Sequence, residues 1–190
     1  MRVVLGDGTG SGSLVEQAIK EIIEQYGKEL KYYKFEKMDI KPCYNCGACQ
    51  SKHPGRCAVK DGSDQYILDM MDSEACLWIT PIFLGGYNSA TKKAIDKLVR
   101  TGNPLFQVVE GRLQHLNCGN EPGKKGVFMG IGIASTDTTT KEREDFKMLL
   151  KENGMITVNH SICDIIEPTD AVEVMVQKIK AVLKKGESLL

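Results

Sequence analysis

Five strand-like apolar stretches alternate with helix-like ones along this chain, and no other feature restricts its fold as much. Arg2–Leu5 reads as a short strand. Ser13–Tyr26 has a helical period, with Leu14, Ala18, Ile22 and Ile23 on one face. Leu30–Phe35 reads as a second strand, and Asp61–Asp72 as a helix with Tyr66, Ile67, Met70 and Met71 apolar. The run ACLWITP from Ala75 reads as a buried strand that Pro81 stops. Ser89–Arg100 reads as a helix with Ala90, Ala94, Ile95 and Leu98 inward. Gly126–Ile133 is a fourth strand, Lys141–Lys151 a helix, the β-rich run from Met155 to Ile166 a fifth strand, and Ala171–Lys184 a closing amphipathic helix. Strands and helices in this rhythm imply right-handed crossovers and a parallel sheet with helices on both faces. Two doubly wound arrangements fit: a five-stranded sheet of order 2-1-3-4-5, and the dinucleotide-binding order. In both, ligands bind outside the carboxyl ends of the strands, where the strand order reverses. Those ends are the loops after residues 5, 35, 80 and 133, and these are the glycine-, cysteine- and hydroxyl-rich stretches of the chain.

A chain of 190 residues suits one domain, here 1–190 with a cysteine-bearing insertion at 41–60. Its 25 Lys and Arg balance its 25 Asp and Glu, so nucleic acid and anionic membrane are poor partners. MRVVLGDGTG reads directly as a strand and turn, not as an export signal, and the apolar runs are too short to span a bilayer. The expected location is the cytoplasm, where thiols stay reduced and a cysteine cluster points to metal or redox chemistry.

GDGTGSGSL, from Gly6 to Leu14, joins the first strand to the first helix. Its glycines let the backbone approach a ligand closely. Thr9, Ser11 and Ser13 offer hydroxyls, and the helix start offers unpaired N–H groups with a partial positive charge. Gly8, Thr9, Ser11, Gly12 and Ser13 are therefore candidate phosphate contacts. The loop holds no Lys or Arg, so dipoles and hydrogen bonds alone would hold the charge, and Asp7 should point away. It lacks both the Gly-Lys-Ser/Thr ending of a P-loop and the GxGxxG spacing of a dinucleotide site, so the monophosphate of FMN fits better than a pyrophosphate. The plainer alternative is a glycine-rich turn that only links strand to helix.

TPIFLGGYNSATKKAIDKL follows the central strand. Phe83, Leu84 and Tyr87 give apolar surface, Gly85 and Gly86 expose backbone donors, and Asn88 or Ser89 can cap the next helix. An apolar face beside polar backbone suits a flavin ring, which makes Pro81, Ile82, Phe83, Leu84, Gly85 and Gly86 candidate contacts. Simple packing or interface roles for Phe83 and Tyr87 are the alternative. Ser135, in ASTDTTT (Ala134–Thr140), is a further candidate on the same edge, although Asp137 or Thr138 as a helix N-cap accounts for that stretch equally simply.

Thr80-Pro81-Ile82-Phe83-Leu84-Gly85 and Ala90-Thr91-Lys92-Lys93-Ala94-Ile95-Asp96 resemble the NADPH-dependent FMN reductase superfamily, and within it the iron–sulfur flavoproteins. That group carries a first-strand phosphate loop, a compact cysteine motif after the second strand, and a Ser-Pro-Val/Ile-Tyr/Phe-Phe-Gly loop leading into an Ala-x-x-Lys-x-x-Ile-Asp helix. The resemblance is specific over residues 1–100 and rests on element order beyond them. It implies a flavodoxin-like fold of order 2-1-3-4-5 with bound FMN. Family members usually carry an Arg in a longer phosphate loop. Here Gly10-Ser11-Gly12-Ser13 is short and has none, which bears on nicotinamide use more than on the flavin.

KPCYNCGACQSKHPGRC holds four of the seven cysteines. Cys43, Cys46 and Cys49 sit at every third position, and Cys57 returns after Pro54-Gly55. Four thiolates in this compact arrangement suit a 4Fe–4S cluster, by spacing and by resemblance alike. Zinc, a Cys46–Cys49 dithiol, and a reduced motif that holds nothing are the other readings. Cys76 and Cys163 read as small core residues, and Cys118 is assigned no role. His53 reads as exposed, His160 as a strand-edge residue, and His115 falls in an irregular stretch. The long segment Asn103–Lys125 is expected to cover the flavin or to form an oligomer contact.

The residues and the resemblance together lead to an FMN-dependent electron-transfer oxidoreductase that couples a 4Fe–4S cluster to the flavin. No side chain stands out as a catalytic acid or base. The resemblance implies a ferredoxin-like or NAD(P)H donor, a quinone, oxygen or peroxide acceptor, and a homodimer or homotetramer. Two alternatives stay open: a cluster-free NAD(P)H-dependent FMN or quinone reductase, and a flavin-free zinc-binding or thiol redox-sensing module.

Overall fold

A computed structural model of the chain describes residues 1–102, 104–109, 111–115, 126–157 and 160–190; Cys118 lies outside the described residues. The elements in chain order are β1 (Val3–Asp7), α1 (Leu14–Tyr26), β2 (Leu30–Lys34), the single turn α2 (Ala48–Ser51), α3 (Asp64–Asp72), β3 (Ala75–Phe83), β4 (Gly86–Tyr87), α4 (Ser89–Asp96), β5 (Phe106–Val109), β6 (Arg112–His115), β7 (Val127–Ile133), α5 (Thr140–Thr157), β8 (His160–Ile166) and α6 (Val172–Glu187). The main sheet runs β2-β1-β3-β7-β8, all parallel. This is the flavodoxin-like order 2-1-3-4-5, and the strand order reverses between β1 and β3. The short β4 adds antiparallel to the end of β3, and β5–β6 form a separate hairpin.

Alternation along each strand divides the core into two layers. Val3, Leu5, Leu77, Met129 and Ile131 pack on one side with Ile19 and Ile22 of α1 and Ile179 and Leu183 of α6. Val4, Trp78 and Phe128 face the other side with Tyr66 of α3, Ala94 of α4, and Phe146 and Leu150 of α5. Trp78 meets Phe128 edge-to-face at 4.4 Å. Two strand glycines make room for large neighbours. A Cβ at Gly6 would lie 2.2 Å from the Phe35 ring, and one at Gly130 would lie 2.2 Å from Leu150 Cδ1.

Several features differ from the sequence reading. Pro81 does not stop β3, which runs on to Phe83. The last β1 partner of β3 is Ile79, so at Pro81 one side of the strand has no β1 ladder bond to lose. Helix α5 continues to Thr157 and takes the first residues of the run assigned to the fifth strand. Gly154 does not end the helix: it is buried, and a Cβ there would sit 2.6 Å from Ser161 Cβ, so its bare backbone lets the helix lie against β8. The segment 103–125 contains the β5–β6 hairpin, on which Phe106, Val108 and Leu113 are exposed.

Gly130→Ala is expected to lower stability by about 1–3 kcal/mol through overpacking against Leu150. Chemical denaturation checks this: the midpoint falls while the slope stays constant.

Candidate functional site

Three loops meet at the carboxyl ends of the neighbouring strands β1, β3 and β7: residues 8–13, the Leu84-Gly85 turn, and residues 135–139. The first is anchored at Gly8. Its N–H donates to the Ile79 carbonyl at 2.8 Å, and its carbonyl accepts from Asn88 Nδ2 at 2.6 Å. A Cβ at Gly8 would fall 1.9 Å from Thr91 Oγ1, so only glycine fits there. Gly10, Ser11 and Gly12 are exposed, and nothing crowds either glycine. Ser13 caps α1 by accepting from the Glu16 N–H at 3.2 Å. Glu16 reaches back to accept from the Gly12 N–H at 2.6 Å, and this bond holds its carboxyl below the usual range. The loop thus already binds an anion, its own carboxylate. Ser11 Oγ donates to Glu36 at 3.4 Å.

The loop itself holds no cation, but one lies beneath it. Lys34, the last residue of β2, enters beneath the loop. Its Nζ donates to Asp7 Oδ2 and to Thr9 Oγ1, both at 2.9 Å, and all three residues are buried. Asp7 points inward as expected, and also accepts from the Thr9 N–H at 2.7 Å and from the Tyr32 hydroxyl at 2.8 Å. Burial, and then the bond to Asp7, push the Tyr32 hydroxyl above its ordinary value. The Thr9 hydroxyl is thereby engaged on the inner side of the loop, leaving residues 10–13 to face outward. The sequence signal for Lys34 was its place at the ligand-binding end of a strand, four residues from the strand start, with no neighbouring pattern to mark it.

Leu84 and Gly85 form the two-residue turn between β3 and β4, with φ of 49° and 73°. Positive φ at both positions is what I′ hairpin turns require, and a leucine there carries strain of order 1–3 kcal/mol. The turn holds Phe83 and Leu84 in solvent, 65% and 80% exposed. Pro81 is half-buried and Ile82 buried behind them. Gly85 is buried against Asp145 of α5 and does not expose its backbone as anticipated. Tyr87 takes the packing role weighed for it: it is buried edge-to-face against Trp78 and Phe146, and its hydroxyl accepts from Asn153 Nδ2 at 2.8 Å. Asn88 is the α4 cap, accepting from the Thr91 N–H at 3.0 Å. The α5 cap is Thr139, not Asp137 or Thr138. Its Oγ1 accepts from the Glu142 N–H while Glu142 accepts from the Thr139 N–H at 2.7 Å, a reciprocal capping box. Ser135 is exposed and its N–H donates to Thr138 Oγ1 at 2.8 Å.

A concavity of about 500 Å³, including its open mouth, lies between residues 42–59 and the turn Lys97–Thr101 that extends α4. Cys43, Cys46, Cys49 and Cys57 all line it. The backbone is left-handed at Asn45 (51°) and Gly47 (67°), one between each successive pair of the first three cysteines, which is how so short a segment curls round. None of the six described cysteines is in a disulfide. Burial, and then the neighbouring thiols of Cys43, Cys57 and Cys46, raise the Cys49 thiol. Among the described residues, no group of three or more His, Cys, Asp or Glu side chains is gathered to hold a single metal ion. Cys76 is buried and Cys163 half-buried in the strands, and burial pushes both thiols up to about 12. His53 is exposed and His160 half-buried at the start of β8.

Two cations that the sequence reading missed line this hollow. Lys97 and Arg100 are 2% and 5% exposed. Lys97 Nζ sits 2.8 Å from Asp61 Oδ2 and 3.6 Å from Cys57 Sγ. Arg100 donates to Asp64 at 2.6 Å and to the Ser63 carbonyl at 3.1 Å, and its buried Nε–H has no partner among the described residues. Thiol donors, a concavity, two buried cations and an unpaired N–H fit an anionic group ligated by sulfur. Both residues lay in a stretch that reads as the tail of an amphipathic helix, where basic side chains ordinarily face solvent.

Desolvation raises the Asp61 carboxyl, but hydrogen bonds from Lys97, from Ser63 and from the Lys41 N–H outweigh it and hold the group at about 2. A depressed folded-state value contributes stability that is complete above the unfolded value and is lost as pH falls toward 2. Wild-type protein is therefore expected to lose on the order of 2 kcal/mol more stability than Asp61→Asn between about pH 5 and pH 2. Urea melts across that range check it.

The chain matches the model of the NADPH-dependent FMN reductase family over residues 5–164. It is 27% identical over 100 residues to an iron-sulfur flavoprotein of Methanocaldococcus jannaschii, covering 52% of this chain and 50% of that protein. It is 28% identical over 149 residues to an iron-sulfur flavoprotein of Archaeoglobus fulgidus, covering 75% of this chain and 66% of that one. The chain thus spans half of the first relative's length and just under two thirds of the second's. A solved azoreductase from Bacillus anthracis superimposes with a TM-score of 0.65 at 12% identity, covering 99% of this chain and 100% of that one, which shows the shared fold. With the match extending over most of its length, the chain belongs to the NADPH-dependent FMN reductase family, a family of flavin-dependent oxidoreductases.

Proposed function

We propose that this chain is an FMN-dependent oxidoreductase of one domain that couples a 4Fe–4S cluster to the flavin. The observation that supports the reading is that four cysteines line one hollow together with the turn that extends α4. Gly10, Ser11, Gly12 and Ser13 would hold the FMN phosphate with main-chain amides and hydroxyls, and Gly8 and Thr9 would fix the loop from within. Phe83 and Leu84 would lie against the ring, Pro81, Ile82, Gly85 and Gly86 would shape its seat, and Ser135 would stand at its edge. Cys43, Cys46, Cys49 and Cys57 would ligate the cluster. Flavin supplies two-electron chemistry that can be released singly, and a cluster carries one electron at a time. The chain's own contribution is to hold both groups and tune them. A ferredoxin-like donor and a small acceptor such as a quinone, oxygen or peroxide fit this reading, as does a cytoplasmic homo-oligomer. No helix among the described residues is long and apolar enough to cross a membrane.

The family match itself favours a second reading, a cluster-free reductase that draws its electrons from NAD(P)H. Protein prepared without oxygen separates the two. The cluster reading expects about four irons per chain, with flavin bands over a broad visible shoulder that dithionite bleaches. Cys57→Ser is expected to lose most of the iron and keep its flavin. Flavin bands with no iron in the wild type select the second reading, and absence of flavin refutes both.

Glu16 places a carboxylate on an amide that the phosphate would use. Removing that charge lifts its repulsion of the phosphate, so Glu16→Gln is expected to bind FMN roughly fivefold more tightly, by fluorescence titration.

A further inference from the structure

Lys97 is a lysine in an unusual place. It belongs to the turn that extends α4, not to the cysteine segment, yet its ammonium is buried at the wall of the sulfur-lined hollow. One of its donors is taken by Asp61 at 2.8 Å, and another points at Cys57 Sγ at 3.6 Å. Asp61 is fixed in turn, accepting from the Ser63 N–H at 2.9 Å, from the Ser63 hydroxyl at 2.5 Å and from the Lys41 N–H at 3.0 Å. The pair is 1% exposed on both sides, so solvent does not screen it. Charge neutrality would be served by an Asp61–Lys97 pair anywhere in the interior. Its position against a sulfur is the additional fact, and hydrogen bonds to ligand sulfurs are among the chief determinants of a cluster's potential.

We propose, resting on the cluster reading above, that Lys97 is a positioning residue that raises the reduction potential of the cluster through its N–H···S bond to Cys57, and that Asp61 opposes it. On reduction one electron enters the cluster from the donor, dithionite in the test below, and no bond forms or breaks. The reduced state carries one more negative charge than the oxidised state. An ammonium at a ligand sulfur therefore favours the reduced state, and a carboxylate behind it favours the oxidised state. The hydrogen bond to the sulfur is made by the Lys97 ammonium, while Asp61 occupies another donor of that ammonium, so the net effect of the pair is to raise the potential.

The test uses full-length wild type, Lys97→Met and Asp61→Asn, each prepared without oxygen, with iron counted and the cluster titrated with dithionite under EPR. At a fixed potential Lys97→Met is expected to show a reduced-to-oxidised ratio about tenfold lower, a shift of 59 mV for a one-electron couple. Asp61→Asn is expected to move the ratio the other way. A purely structural role predicts no such opposition: both variants would lose iron together or shift alike. Equal midpoints, or shifts of the same sign, in variants that hold wild-type iron overturn the proposal while leaving the cluster reading intact. Wild-type protein without iron overturns both. Where Lys97→Met fails to fold because Asp61 is left buried and unpaired, the double variant Lys97→Met/Asp61→Asn removes both charges. A lowered ratio there supports the proposal and an unchanged one overturns it.

Discussion

Asn88 joins the parts of the flavin-side edge. Its amide nitrogen grips the Gly8 carbonyl at 2.6 Å, while its amide oxygen caps α4 through the Thr91 N–H and accepts from the Thr80 hydroxyl at 3.4 Å. One side chain thereby fixes the loop after β1, the end of β3 and the start of α4, which are the three pieces that meet where the strand order reverses. Gly8 and Thr91 are packed too closely for any other residue at position 8. The glycine-rich loop beyond is thus held by its root, and its exposed stretch from Gly10 to Gly12 is left open to approach. This division, rigid at the base and open at the tip, is what pre-organised anion recognition by amides needs.

Both candidate sites are underlain by a buried lysine–aspartate pair, Lys34 with Asp7 and Lys97 with Asp61. Such pairs are weak sources of net stability, because desolvating two ions offsets most of their attraction. Breaking one is another matter, since it strands the other charge in the interior. Their consequence here is shape. Lys34 ties Thr9 and Asp7 into one network beneath the phosphate loop, and Lys97 ties the Cys57 sulfur to the base of α3 through Asp61 and Ser63. In each case a side chain from a neighbouring element stiffens a loop that has little apolar surface of its own to bury.

The alternation of strands and helices was legible because it depends on hydrophobic period, which the chain keeps clearly; that period left two doubly wound orders open, and the order 2-1-3-4-5 came from the resemblance. The loops of the ligand edge followed from topology, and the cysteine motif from spacing. What stayed hidden depended on long-range partners. Lys34 lies in β2 and acts on β1, and Lys97 lies past α4 and acts across 36 residues on Asp61. Neither has a local pattern to betray its burial. Tyr87 shares an apolar stretch with Phe83 and Leu84, and the sequence left it between ring contact and packing; β4 turns back on β3 and carries it into the core. The Thr139 cap was misplaced by one or two residues because ASTDTTT offers several good caps, and only the reciprocal Glu142 selects among them.

The two sites solve opposite electrostatic problems. The outer face of the phosphate loop has Glu16 and Glu36 at hydrogen-bonding distance and no free cation in the loop itself, so a phosphate there would be held by amides, hydroxyls and the α1 dipole against nearby carboxylates. The cysteine hollow gathers sulfur donors whose ligated form is anionic, and it is walled by two buried cations. The helix α4 stands between them, capped at one end by the side chain that holds Gly8 and extended at the other by the turn that carries Lys97 and Arg100. A displacement of that helix would alter the root of the phosphate loop and the wall of the hollow together. The two ends of this eight-residue helix thus belong one to each candidate site.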